Sequence, residues 1–229
     1  MLSRSIEDYI KAIYALEIEV QKAGTKQIAQ RLGVKMASVT GMIKHLAAEG
    51  YVKHTPYYGV QLSARGQSVA LGLIRRHRLI ELFLTRTLDL PWDEVHNDAE
   101  VLEHVVSDRL VERMHEVLGF PEFDPHGSPI PRKDGSVVPR QGICLDQLQT
   151  DQRGHIVEVE DRDPEFLRYM TGLKLSIGSA VRVRERAPFN GPITLTVGSR
   201  TIAIGHEAGA RIRVGVDEPI SHKRRRKKL

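Results

Sequence analysis

The spacing of the apolar residues changes period partway along the chain, and that change limits the folds open to it. Up to about residue 118 they recur at helical spacing. Ile6, Ile10, Ile13 and Leu16 share one face behind Ser5, a plausible N-cap. "TKQIAQRLGV" reads as a short helix stopped at Gly33, and "MASVTGMIKHLAAEGYV" as a second, with Val39, Ile43 and Leu46 inward and Gly50 at its end. "YVKHTPYYGVQLSARG" reads as two short strands around "PYYG", and residues 66–88 and 92–118 as two longer helices. A proline- and glycine-rich stretch, "FPEFDPHGSPIPRKDGSVVPRQG", is a linker or an ordered irregular segment. From about residue 151 the period drops to two. "GHIVEVE", "SAVRVRERA", "PITLTVG", "RTIAIG" and "ARIRVG" alternate as strands, interrupted by one short helix at "PEFLRYMTGL". Helices first and strands afterwards, without βαβ interleaving, predict an α+β chain of separate domains ending in a small β-barrel or compact sheet.

A chain of 229 residues is long enough for two or three such domains. No run approaches the roughly 18 apolar residues of a membrane span. The opening "MLSRSIEDYIKAIYALE" mixes charge into its apolar positions, unlike a signal peptide, so a cytoplasmic protein is expected. The single cysteine, Cys144, excludes an intrachain disulfide and a cysteine-based zinc cage. The net charge of +5 conceals a polarised chain, because "KRRRKK" at 223–228 alone carries six cations. Residues 1–76 hold eleven Lys and Arg against five acids, whereas residues 93–124 hold ten acids against two arginines. A basic first part suits a polyanion and an acidic middle suits a cation, although either run is also what a solvated face looks like. The tail "SHKRRRKKL" is expected to be disordered.

Ala29, Gly33 and Val39 have the spacing of a helix-turn-helix: a small residue where the helices approach, glycine in the turn, a β-branched anchor in the second helix. The hairpin after it fits a wing. A recognition helix presents its N-terminal residues to base edges in the major groove, here Lys35, Met36, Ala37 and Ser38. Lys35 can reach a guanine edge and Ala37 can pack on a thymine methyl. Ser38, Thr40, Lys44 and the wing residues Tyr57 and Tyr58 are candidates for phosphates. The bland reading is a winged-helix domain that binds protein.

"HNDAEVLEHVVSDRL", residues 96–110, poses a sharper question. With His96 at zero and about 100° per residue, Glu100 lies near 40°, Glu103 near −20° and His104 near 80°. Val101, Leu102, Val105 and Val106 fall on the opposite side. Taken alone, such an arc is more often a solvated face than a site. The preceding helix shifts the balance, because His77 and Glu81, four apart in "HRLIE", also share a side. Two facing helices carrying His and carboxylate at that spacing are how helical proteins build metal sites. Asp8 offers another carboxylate, or only complements a helix dipole, and His126 in "DPHG" offers an imidazole, or only a turn.

"EDYIKAIYALE", "HRLIELFL", "VHNDAEVLEHVVSDRL" and "PHGSPIP" resemble the diphtheria-toxin-repressor family of metal-dependent transcription regulators, in particular its manganese-responsive branch. The resemblance covers about 130 residues and extends more weakly into the C-terminal part. It implies a winged helix-turn-helix DNA-binding domain over 1–72, a helical dimerisation and metal-binding domain with the Pro/Gly-rich segment over 73–145, a barrel of the Src-homology type over 146–220, and the tail 221–229. It implies a primary metal site of Asp8, His77, Glu100, Glu103 and His104, and an ancillary site of Glu81, Asp124, His126 and Asp161, with Asp163 the fallback and His96 a weaker candidate. Iron-sensing members place Met at the position of Asp8 and Cys at that of Glu100. Oxygen and imidazole donors suit Mn(II), whereas thiolate favours softer metals. Short manganese regulators carry a Glu at the position of Lys11 that bridges two close metals, so Lys11 argues against a closely spaced pair.

The expected function is therefore a manganese-dependent transcriptional repressor that binds double-stranded operator DNA as a homodimer, controls metal-ion homeostasis genes, and is neither an enzyme nor membrane-bound. The alternatives are an iron-dependent regulator of the same family, a metalloenzyme with an attached DNA-binding domain, and a metal-free winged-helix adaptor.

Overall fold

The computed structural model describes residues 2–20, 23–55 and 59–217. They fall into two compact units, Met1–Pro125 with Pro129–Val138, and His126–Ser128 with Pro139–Leu229.

The first unit opens with α1 (Arg4–Val20). Its cap is Ser3 rather than the expected Ser5: the Ser3 hydroxyl accepts from the Ile6 amide at 3.4 Å, and its carbonyl accepts from the Glu7 amide at 3.1 Å. Ser5 already lies inside the first turn, one of whose free amides Ser3 has captured. Helices α2 (Thr25–Leu32) and α3 (Met36–Ala48) are separated by a turn in which Gly33 takes φ 65°, a conformation that favours glycine. Ala29 and Val39 are buried as the helix-turn-helix spacing demands, in one core with Ile10, Ile13, Ile28, Ile43 and Leu46. Strands β1 (Val52–Thr55) and β2 (Gly59–Leu62) pair antiparallel, Val52 opposite Leu62. Ser63 caps α4 (Ala64–Leu88), its hydroxyl accepting from the Gly66 amide at 3.1 Å. Gly66 is required sterically: a Cβ there would sit 2.1 Å from the Tyr51 carbonyl oxygen.

The sequence reading of one helix over 92–118 is corrected. The chain forms α5 (Val95–Leu102), a turn, and α6 (Asp108–Val117). Ser107 is the reason. Its backbone is extended, at φ −69° and ψ 150°, and its hydroxyl accepts from the Leu110 amide, so it caps a new helix instead of continuing the old one. After α6 the proline-rich chain is ordered and packed. The Ile130 amide donates to the Glu122 carbonyl at 2.8 Å, and the Ile130 side chain joins Leu79, Leu82 and Val111.

The second unit contains β3 (Ile143–Cys144), β4 (Arg153–Val159), α7 (Pro164–Gly172), β5 (Ala180–Arg186), β6 (Ile193–Val197), β7 (Arg200–Ile204), α8 (His206–Ala210) and β8 (Ile212–Val216). Its strands form a six-stranded antiparallel sheet ordered β3-β8-β4-β5-β6-β7. Register shifts at Ile156/Glu158 and Val183/Glu185 bend the sheet as bulges do. The five strands and the helix read from the alternation are present; β3 and α8, two and five residues long, are too short to carry a period. Residues His126–Ser128 thread into this unit: the Val159 amide donates to the His126 carbonyl at 2.9 Å, and Ser128 Oγ lies 3.0 Å from Glu158 Oε1. Among the described residues no helix is long and apolar enough to cross a membrane. The basic tail lies outside the described residues.

Candidate metal centre and nucleic-acid interface

Helix α5 seats Val95 and Ala99 in the apolar core, yet the same segment also buries an acid. Glu103, at the C-cap, is fully buried, whereas Val101 is 53% and Val105 71% exposed. A buried carboxylate is costly unless it is paired, so the arc must be part of an organised polar cluster. It is. One ligand atom from each of Glu100, Glu103 and His104 lie within 4.8 Å of one another, as do one each from His77, His96 and Glu100. The two triads share Glu100. His77 comes from α4, and Asp8 approaches from α1, its Oδ1 3.1 Å from His104 Nε2. The structure thus brings all five residues of the expected primary set into one cluster and adds His96, whose Nδ1 is 3.1 Å from His77 Nε2.

Each histidine is oriented by carboxylates. His77 Nδ1 lies 2.6 Å from Glu103 Oε2, and its Nε2 lies 2.9 Å from Glu81 Oε1. Burial alone would lower its pKa, but Glu81 and Glu103 outweigh burial and push it up to about 9. His104 Nδ1 lies 2.6 Å from Glu7 Oε2. With Nδ1 held by Glu7, Nε2 is the ring nitrogen left to a metal. The Nε2 atom is buried, has no hydrogen-bond partner, and faces Asp8 Oδ1 at 3.1 Å and Glu103 Oε1 at 3.6 Å. A ring nitrogen and two carboxylate oxygens converging in this way suit a shared cation. The donor chemistry, one imidazole nitrogen with its other nitrogen held by a carboxylate and several hard oxygens, fits a divalent metal.

Glu7 went unread in the sequence, and Lys11 was read only as an argument against a closely spaced metal pair. Glu7, almost buried, orients His104. Lys11 places its ammonium among the acids, with Nζ 2.7 Å from Glu100 Oε1, 2.8 Å from each oxygen of Glu103 and 3.4 Å from His77 Nδ1. Burial would raise the Glu100 pKa, but Lys11 outweighs it and holds Glu100 below the usual carboxylate range. Asp8 shifts the other way: burial raises it despite His104 and Arg4. The available signal was that positions 7, 8 and 11 share one face of α1.

The candidates for an ancillary site are divided between the units. Glu81 and Asp124 belong to the first, and Asp124 Oδ2 lies 3.4 Å from Arg78 Nε; His126 and Asp161 belong to the second. Asp163, the fallback, caps α7, accepting from the Glu165 amide at 3.0 Å and the Phe166 amide at 3.3 Å. It also pairs with Arg211 at 3.1 Å, which holds its carboxyl below the usual range.

Helix α3 exposes every DNA-contact candidate that is described: Lys35 at the N-cap, Met36, Ala37, Ser38, Thr40 and Lys44. The Thr40 hydroxyl donates to the Met36 carbonyl at 3.1 Å, so in this rotamer it cannot also donate to a phosphate. Tyr57 and Tyr58 lie outside the described residues.

Comparison with known proteins matches the chain domain by domain. Residues 1–60 match the iron-dependent repressor N-terminal DNA-binding domain, residues 63–132 the iron-dependent repressor metal-binding and dimerisation domain, and residues 143–216 the FeoA domain. The chain is 26% identical over 219 residues to the iron-dependent repressor IdeR of Mycobacterium leprae, covering 91% of this chain and 95% of that one. It is 34% identical over 124 residues to the transcriptional regulator MntR of Bacillus subtilis, covering 54% of this chain and 87% of the relative. A solved manganese-dependent transcriptional repressor in complex with manganese superposes with a TM-score of 0.82 at 38% identity, over 93% of this chain and all of that one. A winged DNA-binding domain, a helical metal-binding domain and a sheet domain, in that order and matched along nearly the whole chain, place it in the diphtheria-toxin-repressor family of metal-dependent transcriptional regulators.

Proposed function

We propose that the chain is a manganese-responsive repressor that binds operator DNA as a homodimer, in the cytoplasm, with Asp8, His77, Glu100, Glu103 and His104 as its activating metal ligands. The observation that carries the reading is His104, whose Nδ1 is held by Glu7 while its buried Nε2, without a hydrogen-bond partner, faces Asp8 and Glu103. A bound divalent cation supplies the positive charge that these oxygens and nitrogens can share. The ligands come from three helices: Asp8 from α1 of the winged domain, His77 from α4, and Glu100, Glu103 and His104 from α5 and the turn after it. Joint ligation ties the DNA-binding domain to the dimerisation helices and so selects the arrangement in which both recognition helices of a dimer meet successive major grooves. The donors are hard oxygens and imidazole without thiolate, which favours Mn(II). His96 joins the ligand set by its place beside His77 and Glu100. Glu81, Asp124, His126 and Asp161 remain the candidates for an ancillary site, and the capping and ion-pair duties of Asp163 favour Asp161 as its C-terminal member. The iron-dependent character named for the Mycobacterium leprae relative supports the iron alternative.

The test is binding of a fluorescent operator duplex by the metal-stripped protein under anaerobic conditions, at fixed salt, across Mn(II), Fe(II), Co(II) and Zn(II). Metal-dependent binding with Mn(II) effective at its cellular concentration is expected. Equal binding with and without any metal would remove the cluster from regulation, and response to Fe(II) alone would favour the iron alternative.

A further inference from the structure

The acids that would hold the metal already hold a cation of the chain's own. Lys11 Nζ is within 2.8 Å of three carboxylate oxygens, one from Glu100 and two from Glu103, and Glu103 is fully buried. The two residues come from far apart in the chain, 89 and 92 positions away, so their meeting is a property of the fold and not of local sequence. The lysine side chain itself is only 22% exposed, so it lies within the cluster and does not merely brush past it.

We infer that Lys11 is a tethered competitor for the metal: its ammonium neutralises Glu100 and Glu103, and a divalent cation takes these ligands only by displacing it. The inference rests on the reading of the cluster as the activating site. Three physical points support it. An ammonium of unit charge and a divalent metal both want the same hard oxygens, and with Nζ already 2.7–2.8 Å from them a metal on those oxygens would stand close enough to the ammonium for the two cations to repel each other. Lys is the residue for such a duty because it is a compact point charge on a flexible four-carbon stem, able to swing away without breaking its helix. Finally, the ammonium links α1 to α5, the same two elements that ligation through Asp8 and Glu103 would link, so its departure does not have to leave them uncoupled. The consequence is an occupancy threshold. Displacement costs the same whichever metal arrives, so Lys11 lowers affinity for all divalent cations together without reordering them. Donor identity sets the order of preference, and Lys11 sets where on the concentration scale the response falls.

The experiment is metal titration of wild type and of Lys11→Met, a substitution that keeps an unbranched, helix-compatible side chain and removes the charge. Free Mn(II) is followed by its paramagnetic resonance signal and Co(II) by its absorption in the cluster. Lys11→Met should bind both metals tighter by about tenfold or more, as the loss of charge-assisted bonds to buried carboxylates implies, with the Mn(II)/Co(II) ratio unchanged. Lys11→Arg, which retains the charge, should stay near wild type. The metal-stripped Lys11→Met protein should also melt at a lower temperature than wild type and gain more on adding metal, because its carboxylates lack their neutralising partner. Lys11→Gln provides the same comparison if Lys11→Met does not fold. Unchanged or weaker Mn(II) binding in the charge-removing variants, with wild type binding normally, overturns the competitor role. A wild-type isotherm that is untouched by Glu103→Ala with His104→Ala overturns instead the assignment of the cluster itself.

Discussion

His77 shows how much a single side chain's environment decides. With both ring nitrogens against carboxylates, it keeps its proton up to about pH 9. A metal taking His77 as a ligand would need that proton gone, so ligation would release it. Between the ordinary histidine value near 6.5 and about 9, the metal concentration for half-saturation should therefore fall by up to tenfold per pH unit, then level off. For the metal-free protein the sign is opposite. A raised folded-state pKa stabilises fully below the unfolded value and is lost as the pH rises through about 9. Titrating Mn(II) at a series of pH values checks the first statement, and a flat affinity from pH 6.5 to 9 would remove His77 from the ligand set. Removing both Glu103 and His104 as Ala should abolish metal-stimulated operator binding, while circular dichroism stays native. Substituting Glu100 by Cys should move the ranking of metals toward the softer ions, because a thiolate replaces a hard oxygen. An unchanged ranking among Mn(II), Fe(II), Co(II) and Zn(II) would mean that Glu100 is not a ligand. The candidate donors and their spacing were readable in the sequence, since i and i+4 on a helix is local geometry. The roles of Glu7 and Lys11 were not, because their partners are 97, 89 and 92 residues away and only the folded core brings them together.

At the level of elements, the helices and strands are largely what the apolar period requires, and the departures have local causes. Ser107 breaks the long helix expected over 92–118, and Ser3 takes the cap expected of Ser5. The pattern of α5 decides only part of what turns inward. Val95 and Ala99 are buried in the apolar core with Leu102 and Val106 packed against it, whereas Val101 and Val105 are exposed and Glu103 is buried because Lys11 and His77 pair it. Helix α3 carries the next prediction. Lys35 stands at its N-cap position and is exposed, whereas Lys44 lies more than two turns further on. Lys35→Ala should relax base preference at one position at a cost of about 1–3 kcal/mol there, while Lys44→Ala should weaken all duplexes alike. Site selection with both variants at one salt concentration decides it; identical motifs for Lys35→Ala and wild type would leave base reading to Ala37 and its neighbours or to DNA shape.

At the level of the whole molecule, the basic stretch over residues 1–76 and the acidic stretch over 93–124 are joined by α4, whose 25 residues begin just after β2 and carry His77 into the candidate metal cluster. If the metal stabilises the arrangement that fits DNA, linkage runs both ways, and DNA must raise affinity for metal by the same factor that metal raises affinity for DNA. Couplings of this kind are typically about 1–3 kcal/mol, or roughly 5–150-fold. The charge distribution makes the experiment sensitive to salt, since every displaced phosphate counterion steepens the dependence, so both titrations must be run in one buffer. Mn(II) binding should then be measured with saturating operator duplex and without it, and duplex binding with saturating Mn(II) and without it. Equal factors are required at equilibrium whatever the mechanism, so they show that both titrations reached it. The dependence of the factor on protein concentration locates the switch. A factor that stays constant places it in the conformation of a preformed dimer, as expected here, whereas one that shrinks as the protein concentration rises places it in the assembly of the dimer and overturns the conformational reading.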